Sequence, residues 1–388
     1  MADVPLDWIP DHQIRALALL ARAEELNADV ARLLADYQLQ PGGGLTLGHR
    51  EVNGCIETVI AGIAPLPLAL PLVAGEAMVA LRGTMEHALY AEIIRQDGPL
   101  SEDAARTVDL PACSTPSDFE VWKRKKQRKG PPSFTARDSQ IISRIHHLQP
   151  FHLAGEEALH PLARLVSYTN LVKHRSPAVT AVRVPSIRAI DRQGDGTEIF
   201  PPRGQGPLRI GERLSIVLQG ETPEISMDVE VGINLPGTDR WPSLAGELSE
   251  LSEWVRTQAL PHIILGERRP PSEIPVHFDI HIGHRDPRVA LKRGTYRSKL
   301  HDLADQFNAP VARRYLVDLI HSESSGFPPE MLSAWAIGLS DREAVSRASV
   351  FQELRHLPHE EIYRQGKRFI AQWVDEINQA VERHELDG

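Results

Sequence analysis

The stretch TVIAGIAPLPLALPLVAGEAMVALRGTMEHALYAEII, residues 58–94, decides how the rest of the chain is interpreted. Its residues 58–81 are mostly apolar, over a length close to the ~20 residues that a membrane-spanning helix needs. Three prolines interrupt its first half, and each removes a backbone donor and disfavours helix in the residue before it. Glu76 lies inside the second half. The stretch therefore predicts a strand, a proline-bounded turn and a buried helix over about Leu72–Ile94, with no membrane span.

The segments before this stretch predict a helix and a hairpin. Apolar residues recur at steps of three and four between Leu19 and Tyr37, which is typical of an amphipathic helix. Leu45–Ala64 is rich in Val, Ile and Thr, and it contains Asn53-Gly54. Because Asn-Gly readily adopts the positive φ angles of a tight turn, this segment predicts a β-hairpin.

The later elements are predicted from the same periodicity and turn signals. We expect helices over Arg137–Leu148, Glu156–His174 and Leu244–Ile264, strands over Val179–Val184, Leu214–Leu218, Ile225–Ile233 and Val276–Ile282, and mainly helices after that. The segment Gln96–Pro132 is expected to be a loop. A linker rich in proline and charge at 266–275 places a domain boundary near residue 268.

Composition excludes several classes of protein. The 388 residues include 43 Lys and Arg against 52 Asp and Glu, and the net charge of −9 excludes a globally cationic nucleic-acid binder but not a local basic patch. Aromatic residues are only 5%, too few for a dense stacking platform. Two cysteines, Cys55 and Cys113, exclude a disulfide scaffold and favour the reducing cytoplasm. The first residues lack the pattern of a secretory signal.

Two helical motifs carry side chains suited to phosphate chemistry. The first places Arg82 and His87 five residues apart. The second is Asn170-Leu-Val-Lys173-His174-Arg175, in which the asparagine, the lysine and the histidine share one helical face. These residues either bind phosphate together or serve the fold, because Arg82 can pair with Glu86 and basic residues offset the dipole at a helix C-terminus.

These motifs also support a resemblance. LRGTMEHALYAE, LQPF and HPLARLVSYTNLVKHR, within residues 81–175, are similar to a group of uncharacterised bacterial proteins with an L-R-x-x-L-D-H helix, an L-Q-P-Y motif and an N-x-D-K-H-R helix end. The resemblance covers about residues 12–265. Those helices in turn resemble the HEPN (higher eukaryotes and prokaryotes nucleotide-binding) bundle, whose active members carry an Arg-x(4–6)-His motif.

The resemblance implies a metal-independent endoribonuclease that acts as a homodimer, often in a toxin–antitoxin or antiphage system. Arg82 and His87 fall on its catalytic motif. Two positions depart from the pattern: Gly83 stands where active members carry a polar residue, and Val172 replaces the acidic residue before the lysine. A non-catalytic nucleotide- or protein-binding sensor or scaffold, with a partner from the same operon, is therefore the alternative.

The chemistry of metal-free RNA cleavage needs an acid or base that titrates near pH 7 and a cation for the phosphorane charge. Histidine supplies the first and arginine the second. On an ideal helix, however, Arg82 and His87 lie about 140° apart. They would act together only across a cleft or across a two-fold dimer. In that arrangement, Asn170, Lys173, His174 and Arg175 would complete the phosphate site.

A second basic feature is the run Lys123–Lys129, which has six cations in seven residues. Lys125 and Lys126 within it are candidate RNA phosphate ligands, and their contribution to affinity would fall as salt rises. The same run also fits a solvated loop, which is the usual state of a charge run.

The C-terminal part contains His277-Phe-Asp279-Ile-His281. On a strand these three polar residues share one face, where two imidazoles and a carboxylate suit a divalent metal. A plain amphipathic strand explains the same alternation. A metal-dependent hydrolase at this cluster is therefore a third hypothesis, and the leading hypothesis needs no cofactor.

The sequence thus predicts an α+β, predominantly helical protein. Residues 1–268 are expected to form a HEPN-like helical bundle with an inserted β-hairpin and a small antiparallel sheet, and residues 269–388 a mainly helical C-terminal domain. The leading function is an RNase or RNA-binding effector whose partner is RNA or a nucleotide.

Overall fold

The computed structural model describes residues 6–41, 43–136, 138–189, 204, 206–218, 225–323, 326–353 and 359–383. The chain forms two compact units, residues 1–300 and residues 301–388. About 59% of it is helical and 12% is strand, with small antiparallel sheets. The predicted α+β, mainly helical class is confirmed. No helix among the described residues has both the length and the apolar character needed to cross a membrane.

The described residues of the first unit contain ten α-helical segments. They are α1 (Ile14–Leu39), α2 (Ala69–Asp97), α3 (Glu102–Ala105), α4 (Pro116–Lys129), α5 (Pro132–Thr135), α6 (Gln140–His147), α7 (Pro161–His174), α8 (Leu244–Trp254), α9 (Leu260–Leu265) and α10 (Arg288–Lys292). A π-helical turn, Val255–Ala259, joins α8 to α9.

Helix α2 is the centre of the first unit. Helix α1 packs along it, and buried residues such as Leu20 and Leu81 form the core between them. Helix α7 crosses it closely at Gly75, where an added Cβ would lie 3.0 Å from Val172 Cγ1. A glycine is therefore needed at this position for the two helices to approach as they do.

The predicted hairpin is present. β1 (Leu45–Val52) pairs antiparallel with β2 (Cys55–Ile63). Asn53 and Gly54 have φ angles of 51° and 75°, as a tight hairpin turn requires.

Three further strands complete the sheets. β4 (Arg213–Leu218) lies on the other side of β2, and β3 (Thr180–Ala189) pairs antiparallel with β5 (Ile225–Ile233) in a separate two-stranded sheet. All three positions agree with the strands predicted from the sequence.

Two predicted elements are wrong. The expected loop Gln96–Pro132 contains helix α4, because Thr115 Oγ1 accepts the Asp118 N–H at 3.1 Å and Pro116 occupies the first helical position. Lys and Arg then extend the helix, since both are good helix formers.

The second wrong element is the predicted strand Val276–Ile282. Its backbone makes only an isolated bridge, from His277 to Thr295, among the described residues. Alternation of apolar and polar side chains does not by itself make a β-strand, because a strand also needs a series of hydrogen bonds to a neighbouring strand.

Two helices begin later than predicted. α7 starts at Pro161, because the His160 side chain caps it and a 3-10 turn precedes it. α6 starts at Gln140, and Arg137, from which the helix was expected to begin, lies outside the described residues.

The first unit extends to residue 300, whereas the sequence places the boundary at residue 268. The intervening residues pack on the N-terminal part of the chain: Trp8 Nε1 donates to Ser272 Oγ at 3.1 Å, and Arg288 Nη2 lies 2.7 Å from Asp11 Oδ1. The linker-like composition thus marks an irregular segment of turns and bends within the first unit.

The second unit is helical. Its elements are α11 (Lys299–Glu323), which begins at the end of the first unit, α12 (Pro329–Gly338), α13 (Asp341–Glu353) and α14 (His359–Glu382). Leu316, Trp335 and Ile377 are among its buried core residues.

Candidate functional site

Arg82 joins helices α2 and α7. Its Nε donates to Glu86 Oε1 at 2.9 Å, and its Nη1 donates to Thr169 Oγ1 at 2.9 Å and to Asn170 Oδ1 at 3.2 Å. The two motifs are therefore side by side in space. Only 17% of the Arg82 side chain is exposed. The guanidinium thus serves mainly as a bridge between the two helices, which we call the α2–α7 junction.

His87 does not join this bridge. Its side chain is exposed, and no described residue makes a hydrogen bond or an ion pair with it. It lies five positions beyond Arg82, which is about 140° around the helix. Within one copy of the chain, the arginine and the histidine thus lie on different sides of α2.

The C-terminal end of α7 forms a separate cationic cleft. Lys173, His174 and Arg175 are exposed and, with Glu76, line a shallow cleft of about 390 Å³. The cleft lies at the beginning of α2. His87 is eleven residues beyond Glu76, or about 16 Å farther along the helix axis at 1.5 Å per residue. The structure therefore brings the three basic side chains together but separates them from His87.

Helix α4 arranges the basic run in two different ways. Lys126 is buried: its Nζ donates to the Thr107 carbonyl at 2.5 Å and lies 2.7 Å from Asp109 Oδ1. This candidate phosphate ligand is therefore used by the fold. Lys125, by contrast, is exposed, and no described residue pairs with it.

Three neighbours of Lys125 share its exposure, namely Arg124, Arg128 and Lys129. Positions 124 and 128, like 125 and 129, are one helical turn apart. We call these four residues the basic surface of α4. Arg124 Nε donates to the Glu120 carbonyl at 3.2 Å, which leaves its charge unneutralised.

A cluster of histidines beside α4 was missed by the sequence analysis. His146, His147 and His152 lie in mutual ring contact near the end of α6, and His262 of α9 contacts His147 with ring centroids 5.5 Å apart. The density of histidine in HHLQPFH, residues 146–152, was the available signal.

His146 and His147 line a cleft of about 590 Å³ between α4 and α6, which we call the α4–α6 cleft. Burial and the neighbouring histidines lower the pKa of His146, so it is neutral at pH 7. Burial also lowers the pKa of His262. The cleft therefore presents a neutral ring beside a cationic helix.

The LQPF motif has a structural role. Gln149 is fully buried, its Oε1 accepts the Cys113 N–H at 2.9 Å, and its Nε2 donates to the Pro111 carbonyl at 3.0 Å. The motif thus holds the chain that precedes α4 against α6.

The His277, Asp279 and His281 candidates do not share a strand face. Asp279 Oδ1 accepts the backbone N–H of His281 at 2.8 Å, and His281 Nε2 lies 2.7 Å from Glu25 Oε1. His277 is exposed. In the part of the chain that the structure describes, no group of three or more His, Cys, Asp or Glu side chains is arranged to hold a metal ion.

Comparison with known proteins returns no relative. No family model matches the chain, and no curated protein and no solved structure matches it. The functional proposal therefore depends on the side chains described above.

Proposed function

We propose that the protein is an RNA-binding effector that holds the phosphate backbone of RNA on the basic surface of α4. The observation that carries this proposal is the exposure of four cations on one ordered helix. Protein contacts to phosphate oxygens come chiefly from Arg and Lys and are independent of sequence. A local patch of this kind is compatible with the net charge of −9.

The anchoring of α4 supports the proposal. Phe119 and Lys126 are buried, and Thr115 caps the helix. The Lys126 ammonium also lies 5.8 Å from the centre of the Trp122 ring. Because these contacts fix the helix, the exposed cations are preorganised, and RNA binding does not have to order a loop.

The test is binding of a labelled single-stranded RNA at several salt concentrations. For Z neutralised phosphates of a single strand, the logarithm of the affinity falls with the logarithm of salt concentration with a slope of about −0.7Z. Four contacts predict a slope of about −3. Affinity that is independent of salt would contradict the proposal.

A catalytic form of the proposal is a metal-independent endoribonuclease of the HEPN type in a toxin or antiphage system. It needs a homodimer, because Arg82 and His87 face different sides of α2 within one copy. Cleavage of RNA in the presence of a chelator supports this form, provided that Arg82→Ala and His87→Ala both abolish cleavage while the fold is retained. Unchanged cleavage in both variants contradicts it.

A second candidate function is a non-catalytic nucleotide sensor or scaffold. The cleft lined by Lys173, His174 and Arg175 favours it, since three basic side chains converge there on a concave surface. Calorimetric titration with a nucleoside triphosphate tests it directly. Saturable binding that is lost in Lys173→Ala, without any RNA cleavage, supports this candidate.

The third hypothesis, a metal-dependent hydrolase at His277, Asp279 and His281, receives no support from their positions. Elemental analysis of the purified protein tests it. One equivalent of a transition metal bound to the wild type and absent from His281→Ala would support this hypothesis.

A further inference from the structure

The α4–α6 cleft adjoins the basic surface of α4 and has the size of a small-ligand site. Lys123 and Gln127, one turn apart on α4, form one wall, and Ser143 and His147 of α6 form part of the other. Lys123, which lines the cleft, and Arg124, which belongs to the basic surface, are consecutive residues of α4. Arg124 and Arg128 of the basic surface directly follow Lys123 and Gln127 in the chain, so phosphates held by these two arginines would lie beside the mouth of the cleft.

His146 provides a flat ring inside the cleft. Edge-on contacts hold it in place: the centroids of Phe119 and Phe151 each lie 5.1 Å from the His146 centroid. No described residue makes a hydrogen bond with either ring nitrogen of His146, and neither nitrogen is sealed from solvent. The ring is thus fixed by apolar contacts while its polar atoms remain available.

The polar groups of the cleft suit a nucleotide. Lys123 supplies an ammonium group, which pairs with Glu120 at 3.2 Å. The side chains of Gln127 and Ser143 offer donors and acceptors to the edges of a base. Unpaired bases are commonly recognised by stacking on aromatic rings, including histidine, with hydrogen bonds to their exposed edges.

We propose that the α4–α6 cleft accepts one unpaired base of the RNA whose backbone lies along the basic surface of α4. The protein therefore prefers single-stranded RNA to duplex RNA, in which the bases are paired and stacked. This inference depends on the proposed function of α4, and it adds the class of RNA that is recognised.

The experiment measures the affinity of the full-length protein for one labelled RNA strand, alone and annealed to its complement, at a single salt concentration. His146→Ala is expected to lower the affinity for the single strand about tenfold, in the range found for loss of one base-stacking contact, and to leave the duplex affinity unchanged. The matched control is His152→Ala, since His152 contacts His146 but does not line the cleft. It is expected to change neither affinity.

A second variant distinguishes loss of the cleft from loss of the fold. Ser143 is exposed on α6, so Ser143→Trp fills the cleft without removing a core side chain. It is expected to reduce single-strand affinity about as much as His146→Ala does. Glu120→Gln frees Lys123 and is expected to raise that affinity a few-fold.

The two proposals fail differently. If the protein binds single strand and duplex equally and neither cleft variant changes this, the cleft assignment is overturned while the role of α4 stands. If neither RNA binds, the role proposed for α4 fails, and the cleft assignment fails with it.

Discussion

The α2–α7 junction and the basic surface of α4 differ in what their cations contact. At the junction, Arg82 donates to Glu86, Thr169 and Asn170. On α4, Lys125 and its three neighbours project into solvent. Both regions appear as basic motifs in the sequence. The comparison shows that the protein partners of a cation, more than its place in a motif, determine whether it is available to an external phosphate.

His160, at the start of α7, and His146, in the α4–α6 cleft, differ in the same way. His160 caps α7, where its Nδ1 accepts the Leu162 N–H at 3.2 Å and its ring lies edge-on to Trp254. His146 has no such bond. A histidine that accepts a backbone hydrogen bond is part of the fold, whereas one with free nitrogens in a cleft is available to a ligand.

The largest expected effect comes from removing the basic surface of α4. The variant Arg124→Ala/Lys125→Ala/Arg128→Ala/Lys129→Ala should lower RNA affinity at least about a hundredfold at 50 mM salt and should make affinity nearly independent of salt. Fluorescence anisotropy of a labelled RNA measures both. Helix α4 should persist, because alanine is the best helix former.

The matched control removes the three exposed basic side chains of the cleft at the end of α7, which is separate from both the α2–α7 junction and the basic surface of α4. Lys173→Ala/His174→Ala/Arg175→Ala should change RNA affinity less than threefold. Should this triple variant lose as much affinity as the α4 variant, the contrast between the regions would disappear and the end of α7 would become part of the RNA site.

Sequence alone identifies the elements whose signals are local. Asn53-Gly54 predicts the hairpin, and the strands Leu214–Leu218 and Ile225–Ile233 are where the pattern places them. Helix α4 was missed because its core side is narrow: Phe119 and Lys126 are its only buried residues. The cap at Thr115 and the helix propensity of the cations were the available signals.

The candidate site is less predictable than the fold. Spacing shows that Asn170 and Lys173 share a helical face, but it does not show that Asn170 meets Arg82, since that contact joins residues 88 positions apart. Nor does it show that Lys126 is buried while Lys125 is exposed. The histidine cluster depends on His262 reaching His147 from another helix, which no local pattern contains.

The next prediction concerns the effect of low pH on the stability that His160 contributes. Burial, with the nearby charges of Arg164 and His152, lowers the pKa of His160 to about 4 from the ordinary 6.5. The fold therefore favours neutral His160, and the resulting stability is present above pH 6.5 and is lost as the pH falls towards 4. Since one pKa unit corresponds to about 1.4 kcal/mol, the loss should be about 2 kcal/mol after allowance for the partial exposure of the ring.

Urea unfolding of the wild type and of His160→Asn at pH 7 and pH 4 measures this loss. Asparagine keeps a capping side chain without titrating. Between pH 7 and pH 4, the free energy of unfolding should therefore decrease less in His160→Asn than in the wild type, by about 2 kcal/mol. Equal decreases would mean that the folded protein does not hold His160 in its neutral form.

An effect of similar size is expected from the close approach of α2 and α7. Gly75→Val places methyl groups against Val172, whose two methyl carbons would lie 3.0 and 3.1 Å from an added Cβ. Overpacking of this kind costs about 1–3 kcal/mol. Urea unfolding should show this cost, and the second change Val172→Ala should recover part of it. RNA affinity should be unaffected; a parallel fall in affinity would show that α4 depends on the junction.

The smallest effect, and the one that most sharpens the comparison, is expected from Arg82→Ala. The substitution removes three hydrogen bonds, but Asn170 is exposed and Glu86 half-buried, so water replaces the guanidinium at both. We therefore expect the free energy of unfolding to fall by only about 1 kcal/mol, the net value of a single hydrogen bond. Thr169 remains satisfied, since its hydroxyl still donates to the Leu165 carbonyl at 2.8 Å. Glu86→Gln is the control, because loss of a partly exposed pair one helical turn apart costs only about 0.3–0.5 kcal/mol. If Arg82→Ala leaves stability unchanged but abolishes chelator-resistant RNA cleavage, Arg82 is free to engage phosphate in solution, and the junction joins α4 as a site of RNA chemistry.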